Sequence, residues 1–411
     1  MASNVIRHAS AFKPISVPVL GAVAKDNWDR VQTFGASTTQ PQENLYELGR
    51  LNKMAVDKGI LEATLAISQF EYGTLDSFLQ IANLSAKPSG GLELSDFDAG
   101  RLDFISPGKD VYGGTLEQTL WLEHMSLDSL GLEINADDRL VRNFDFSGES
   151  AKIARYGNKY VVFVSDDAGS GVSGSYDIIL NDPVPVENPN VTDEYILKVY
   201  RIRSGVATEL EDTTDYTWTN GTSTLNIIAA SALDNYRIWF TAASYGSAGD
   251  PQVLNDVDDY YLRSENVTVT IDDGTHAALE LTKLTSLSIT TTFNRVEEAV
   301  IGTNVKIKDT ESFDVAVALG GFVKDFPIEE ALMQQAGQSW GIIDYSLFDE
   351  VKVTVKVYNE AAKTNFLIGY QIDACVFADS GANSFDANSF GTGDVNISSD
   401  VLLITDDIND L

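Results

Sequence analysis

The sequence predicts a mostly β protein. Two β-sandwich units of one design, each with a short flanking helix and an extended hairpin, bracket a smaller inserted β-sandwich. Three observations predict it. The first is a duplication: residues 31–49 (VQTFGASTTQPQENLYELG) align without a gap on 284–302 (LTSLSITTTFNRVEEAVIG). A repeated sheet-building segment points to a part of a ring or tube, because each copy offers the same edge to a neighbour. The second is period-two alternation in both copies, the mark of half-buried antiparallel strands. The third is a middle segment whose short strands recur between turn signals, as in a small sandwich.

The elements follow in order. Residues 1–27 read as an arm, because Pro14, Pro18 and Gly21 break up a weak alternation. The first unit covers 28–155. Its Thr/Ser-rich strand leads through a polar bend to Gly49 and a basic tip. A second strand then carries Leu61, Ala63, Leu65 and Ile67 on one face, and a helix-like run follows at 75–79 (LDSFL). Closing strands are read at 126–134 (SLDSLGLEI) and 143–149 (NFDFSGE). The insert covers 156–264, with strands at 160–164, 176–180, 195–201, 216–218, 224–228 and 236–241. The second unit covers 265–411 and repeats the order. After Gly302 and its tip comes a strand carrying Phe313, Val315, Val317 and Leu319, then a helix-like run at 328–332 (IEEAL). Its closing strands are read at 351–358, 366–377 and 395–400. Aligning Phe144 with Val395 carries the repeat almost to both unit ends.

Composition bounds the function. A hydrophobic share of 44% is enough for real cores and excludes global disorder. With 61 acidic and 28 basic residues the net charge is −33, which opposes binding to nucleic acid or anionic lipid. The acidity fits adaptation to high salt, or a negative wall past which a polyanion slides; the two are compatible. Cys375 stands alone in an apolar run, so it reads as a buried small hydrophobe. No stretch has the roughly 18 apolar residues of a membrane span. The first 14 residues have no secretory h-region, so the expectation is a soluble protein assembled inside a cell.

Chemical motifs are missing. His8, His124 and His276 have no partner at a metal-ligand spacing and are assigned surface or cap roles. Gly113-Gly114 and Gly320-Gly321 fit no phosphate loop and read as turns or bulges. The Asp256, Asp258, Asp259 and Asp272, Asp273 groups lack EF-hand spacing. No carboxylate pair stands out among so many acids. No catalytic, cofactor or metal site is expected. The positive signal is architectural. The excursions 50–59 (RLNKMAVDKG) and 303–311 (TNVKIKDTE) hold Arg50, Lys53, Lys58, Lys306 and Lys308, with Arg30 and Arg295 nearby. They are either solvated turns or hairpins that reach the next subunit, their cations meeting an otherwise acidic surface. Gly49 and Gly302 mark the turns into them.

The first unit's Thr/Ser strand, ENLYELGR (43–50), second strand and short helix resemble the tail tube proteins of long-tailed, siphovirus-like viruses of bacteria or archaea. The segments 126–134 and 143–149 resemble that family's closing strands. In the second unit 300–302 (VIG) keeps the glycine, while 295–299 departs from the first copy. The resemblance covers both units and not the insert. It implies a non-enzymatic structural virion protein without cofactor, whose hairpins form a continuous barrel around a lumen. Members with one such unit form hexameric rings, so two units per chain imply stacked, pseudo-hexameric rings of three chains. The implied partners are further copies of the chain, a tape-measure protein that sets length, tail completion proteins and DNA in transit; no membrane is involved. The implied place is the virion tail, assembled in the host cytoplasm, with the insert on the outside. A rival reading is an S-layer-like surface protein of a halophile. Acidity and five sequons at Asn83, Asn190, Asn220, Asn266 and Asn396 fit it. The repeated hairpin-plus-helix unit does not.

Overall fold

The computed structural model describes residues 14–18, 26–40, 42–45, 55–58, 61–98, 100–108, 118–136, 138–155, 158–165, 174–203, 206–219, 223–231, 234–244, 262–272, 274, 277–282, 284–299, 306–322, 350–380 and 392–411. In chain order the first unit supplies β1 (Ile15–Pro18), β2 (Asp26–Asn27), β3 (Val31–Thr39), β4 (Gln42–Leu45), β5 (Ala55–Lys58), β6 (Glu62–Phe70), α1 (Asp76–Ala82), β7 (Leu92–Glu93), β8 (Leu102–Gly108), β9 (Gln118–Asn135), β10 (Val141–Gly148) and β11 (Ser150–Arg155). The insert supplies β12 (Lys159–Ser165), β13 (Gly174–Ile179), β14 (Ile196–Arg203), β15 (Val206–Glu209), β16 (Tyr216–Trp218), β17 (Thr224–Ala230) and β18 (Asn235–Ala242). The second unit supplies β19 (Val267–Asp272), β20 (Leu279–Glu280), β21 (Leu284–Ala299), β22 (Lys306–Phe322), β23 (Val351–Tyr358), β24 (Phe366–Ser380), β25 (Thr392–Ser399) and β26 (Val401–Thr405). The chain is mostly β, as its alternation predicts.

One long antiparallel sheet runs through both units in the order β3-β6-β10-β9-β21-β22-β25-β24. Its first four strands come from the first unit and its last four from the second. Alternation decides which face is buried. Ala63, Leu65 and Ile67 of β6 point to the core, and Thr64 and Ala66 between them are exposed.

The duplication holds down to the irregularities. β3 on β6 shifts register between Val31 and Thr33, opposite Gln69 and Ser68; β21 on β22 shifts between Leu284 and Ser286, opposite Gly321 and Gly320. Gly320-Gly321 thus marks a bulge. The closing pairs match too. Ser129 and Leu127 straddle a bulge opposite Asp145 and Phe146, and Asp379 and Phe377 straddle one opposite Asn396 and Ile397. Phe144 pairs with Ile67 where Val395 pairs with Leu319, so the alignment of Phe144 with Val395 is the structural one.

A second layer covers the buried face. It is β2-β1-β8-β9-β11 in the first unit and β20-β19-β23-β24-β26-β7 in the second, with β7 donated across from the first. β9 and β24 belong to both layers and are longer than read from sequence. One apolar core serves both units, joining Leu65, Phe78 and Phe144 to Val317, Tyr370 and Ile397. α1 buries Phe78 and Ile81 in it and ends at Asn83, whose φ of 57° turns its N–H back to the carbonyls of Gln80 and Leu79. The helix-like run at 328–332 lies outside the described residues.

Two boundaries differ from the sequence reading. Within the expected arm, Ile15–Pro18 is a strand paired with β8, and Val17 is buried. A run too short to show clear alternation still docks when a neighbour offers an edge. At the insert's far end, Leu262 packs in the main core and its carbonyl accepts from the Leu140 N–H.

A buried polar cluster ties the units together. Arg142 and Glu71, both fully buried, form a two-pronged ion pair. Arg142 also donates to the Thr74 carbonyl at 2.9 Å, and Tyr370 of the second unit donates to Glu71 at 2.6 Å. Burial opposes the guanidinium's charge, but Glu71 more than offsets this and holds Arg142 above its ordinary pKa. Removing one partner strands a buried charge. Glu71→Gln should destabilise the fold by about 3–5 kcal/mol, and Tyr370→Phe by roughly 1–2 kcal/mol. Urea unfolding measures both, and a Glu71→Gln midpoint equal to wild type would show that the cluster does not hold the units together.

Candidate assembly surface

The exposed face of the long sheet is a carpet of small polar side chains. Ser37, Thr64, Ala66, Thr290, Thr292 and Ala316 are exposed on it. Its acidic members include Glu133, Asp145 and Asp314. Cross-strand bonds lace it together: Ser37 with Thr64 at 2.7 Å, Ser129 to Asp145 at 2.7 Å, Asn143 to Glu133 at 2.9 Å and Asn294 to Asp314 at 2.6 Å. Within 31–39, 62–70, 129–135, 141–148, 286–294, 312–320, 376–380 and 393–399 the one Lys or Arg is Arg142. It faces the core. The strands therefore present no cation on this face.

The cations sit beyond it, on the hairpins. β21 and β22 continue past the sheet as one hairpin down to Ala299 opposite Lys306. β4 and β5 form its counterpart, and Gln42 opposite Lys58 matches Arg295 opposite Thr310. In the sequence Pro41, which has no N–H to give a ladder, falls between β3 and β4. Lys58 and Lys306 are placed by their backbone alone. Arg50, Lys53, Gly49 and Gly302 lie outside the described residues, as do His8, His276, Gly113-Gly114, Asp256, Asp258, Asp259 and Asp273.

Lys308 is well placed and is engaged within the chain. Its Nζ is 2.9 Å from Glu297 on the same hairpin and 2.6 Å from Ser147 Oγ of β10. Thr310 bonds Asp98, and Arg101 donates to the Lys308 carbonyl at 3.4 Å. The second unit's hairpin is thus seated on the first unit. Arg295 lies at this seat with all three guanidinium nitrogens out of solvent and, among the described residues, without a hydrogen-bond partner. Burial, then the charge of Arg101, lowers its pKa. Arg30 stacks on Tyr72, 5.3 Å from the ring centre.

The insert packs elsewhere. Its sheets, β12-β18-β14-β15 and β13-β17-β16, enclose their own core of Leu225, Ile227, Ile238 and Phe240. It docks on the second layer of the first unit, on the side turned away from the shared core. Val17, Ile105 and Trp121 there meet Val162, Tyr200 and Trp239. The indoles of Trp121 and Trp239 stack at 6.3 Å.

His124 lies in this junction, not at a surface or cap. Its Nδ1 is 2.9 Å from Glu149, and Tyr200 Oη of the insert lies 3.3 Å from its Nε2. Tyr200 donates on to Glu209 at 3.2 Å. Buried Asp103 accepts from the Trp121 indole at 3.0 Å and the His124 N–H at 2.9 Å, and its own pKa is raised by burial. Glu123 holds Lys152 and Lys198 of the insert at 2.9 and 3.0 Å. No sequence motif flagged this cluster, because its members come from four separated segments. The signal that existed was a histidine inside a strand of buried residues.

Among the described residues no group of three or more His, Cys, Asp or Glu could hold a metal ion, and no helix is long and apolar enough to cross a membrane. Asp272 accepts from the Gly274 N–H at 2.8 Å. Cys375 is buried.

Burial pushes the His124 pKa down, but the Glu149 hydrogen bond and the Asp103 and Glu149 charges outweigh it, and the net shift is upward. The first unit around His124 therefore gains stability while the ring is protonated, against the opposing charge of Lys198 from the insert, and loses it as pH rises through the raised pKa. Hydrogen exchange in β14 and β9 should quicken as pH climbs from the ordinary imidazole range into the alkaline range, after correction for intrinsic rates. His124→Gln should flatten that dependence; an unchanged profile in the variant would place the titration elsewhere.

No protein-family model matches the chain, and no curated protein matches it. Among solved structures the chain is similar to a chain of the sheath–tube complex of an extracellular contractile injection system. Identity is 13%, over 36% of this chain and 95% of that one, with a TM-score of 0.28. It is also similar to a chain of the anti-feeding prophage cap, a tube terminating cap, at 15% identity over 37% and 96%, TM-score 0.28. A chain of a gene transfer agent virion gives 10% identity over 35% and 98%, TM-score 0.26. Likeness at this level is one of chain trace and no more.

Proposed function

We propose that the protein is the structural building block of a tail tube, non-catalytic, three copies of which close into a pseudo-hexameric ring. The observation that carries the reading is the edge-to-edge joint of two copies of one four-stranded sheet, with matching bulges, inside a single chain. A joint made once within the chain can be made again between chains. Three eight-stranded segments make a barrel of roughly 24 strands, more than the about 16–18 that already leave an aqueous channel. The small, cation-free, partly acidic face would line that lumen, so that DNA phosphates find nothing to bind. A tape-measure protein would occupy the lumen before DNA, and tail completion proteins would end the stack. The hairpins would bridge neighbouring units, the tips at 50–58 and 305–308 included. The insert, docked away from that face, would stand outside. Such a part belongs to the virion tail and is assembled in the host cytoplasm.

Native mass measurement of disassembled tubes tests the stoichiometry. Rings of three 44.7 kDa chains are expected, and a stable six-chain ring would overturn the pseudo-symmetry. Deleting 50–58 together with 305–308 should abolish tubes seen by electron microscopy while circular dichroism keeps its β signature. Tubes formed by that variant would show that neither tip is needed between subunits. At net −33, chains repel at low ionic strength, and the screening length falls from about 10 Å at 0.1 M salt to about 3 Å at 1 M. Assembly followed by light scattering should therefore rise with salt; tubes that persist in millimolar buffer would assign the acidity to the lumen instead.

A further inference from the structure

In a chain with 61 acidic and 28 basic residues, arginines find carboxylates readily. Arg142 holds Glu71, and Arg203 holds Asp234 with bonds of 2.6 and 2.7 Å. At the hairpin seat, two arginines pair with no acid among the described residues. Arg101 gives its guanidinium to backbone carbonyls: Nη1 donates to Gly100 at 3.0 Å and to Asp98 at 3.3 Å, and Nη2 to Lys308 at 3.4 Å. Arg295 has Nε, Nη1 and Nη2 out of solvent, and among the described residues none of the three has a partner. Its guanidinium lies 5.8 Å from the ring centre of Phe293, which offers a face and no hydrogen-bond acceptor beside it.

The carboxylates nearby are engaged elsewhere. Asp98 accepts from Thr310, Asp128 accepts from Ser147 at 2.9 Å, and Glu297 holds Lys308 at 2.9 Å. They give the arginines a field and no bond. Burial lowers the pKa of both, and the charge of Arg101 lowers that of Arg295 further; Asp128, Asp98 and Glu297 offset this only in part. Like charges side by side and out of water are unfavourable unless a counter-charge joins them. Buried N–H groups without acceptors add their own desolvation penalty. A water molecule answers the second cost and not the first. The repeat supplies a contrast, for the other copy of the unit has Glu350 where this one has Arg101, and Gln42 where this one has Arg295. The shared fold therefore does not require these two cations.

We propose that Arg101 and Arg295 together hold a small inorganic anion, chloride or phosphate, at the seat of the second unit's hairpin on the first unit. Guanidinium N–H groups diverge in a planar fork that grips an oxyanion with two bonds and closes on a halide with the same donors. Arg101 precedes β8 and Arg295 lies on β21, so the ion ties the two units where the hairpin crosses. The site lies within one chain and does not depend on the ring reading. Salt then acts on this protein in two ways: any salt screens its net charge, but only an anion that fits fills the seat.

The test is nuclear magnetic resonance of the anions themselves, with the full, unassembled chain at one fixed ionic strength. The chlorine-35 line of chloride, or the phosphorus-31 line of phosphate, should be broader with wild type than with Arg295→Gln, the residue that the other copy carries. Circular dichroism checks that the variant is folded; if it is not, Arg101→Gln makes the same comparison. Arg295→Lys keeps the charge and loses the fork, and should leave only part of the excess broadening. Chloride broadening that added phosphate removes would assign one site to both ions, and broadening confined to one nucleus would assign the ion. Equal lines for wild type and a folded variant at both nuclei would overturn the proposal. So would undiminished broadening with Arg295→Lys, since a site indifferent to the fork is diffuse surface charge.

Discussion

The structure turns on the antiparallel pairing of β9 with β21. Seven successive residue pairs, from Ser286 opposite Asn135 to Thr292 opposite Ser129, weld the sheet of one unit to the sheet of the other. A strand edge in water leaves alternate amides and carbonyls without protein partners, and the adjoining apolar side chains uncovered on one flank. Here the weld removes both costs. Leu130, Leu132 and Ile134 on one side and Leu287 and Ile289 on the other become interior, and two sandwiches share one core. The seat of the β21–β22 hairpin on Asp98, Arg101 and Ser147 follows from the weld, because it fixes where the hairpin emerges.

Polar clusters reinforce the two other seams. Where the units meet behind the weld, Glu71, Arg142 and Tyr370 satisfy one another inside an apolar shell that contains Phe78, Phe97 and Phe144. Buried ionic groups add little to net stability, but each demands its partners in place, which favours one relative arrangement. At the insert, stacked indoles supply the area, while His124, Glu123, Glu149 and Tyr200 supply the directionality. One seam carries a two-pronged ion pair; the other carries a histidine whose pKa is raised.

Most of the architecture was legible in the residues. Alternation located the strands of the long sheet, β23 and most strands of the insert, because each buries one face against a core; β8 and β11 of the first unit and β19 and β26 of the second were not read from it. The repeat was legible even to the equivalence of Phe144 and Val395, since duplicated sheets keep duplicated registers. What escaped the eye has physical causes. β1 is four residues long, too short for alternation to register, and is a strand only because β8 offers an edge. β15 carries one apolar pair in Val206 and Ala207 and is held by β14. The donation of β7 across units and the ion pair of Glu71 with Arg142 join residues far apart in sequence, and no local pattern announces a long-range contact. Lys308 was visible as a cation on a hairpin. That its partners Glu297 and Ser147 belong to the same chain is a fact of tertiary placement.

β9 and β24 each pass from one layer to the other, changing layers beside a bulge at Asp128 and Ala378. In most sandwiches the layers touch only through side chains, which slide past one another under load. Here the layers share unbroken backbone twice over. Shear between the layers must either stretch covalent chain or strip whole ladders at once. The two layers are therefore tied through continuous backbone at β9 and again at β24, so one cannot be displaced along the other without disturbing the ladders of both.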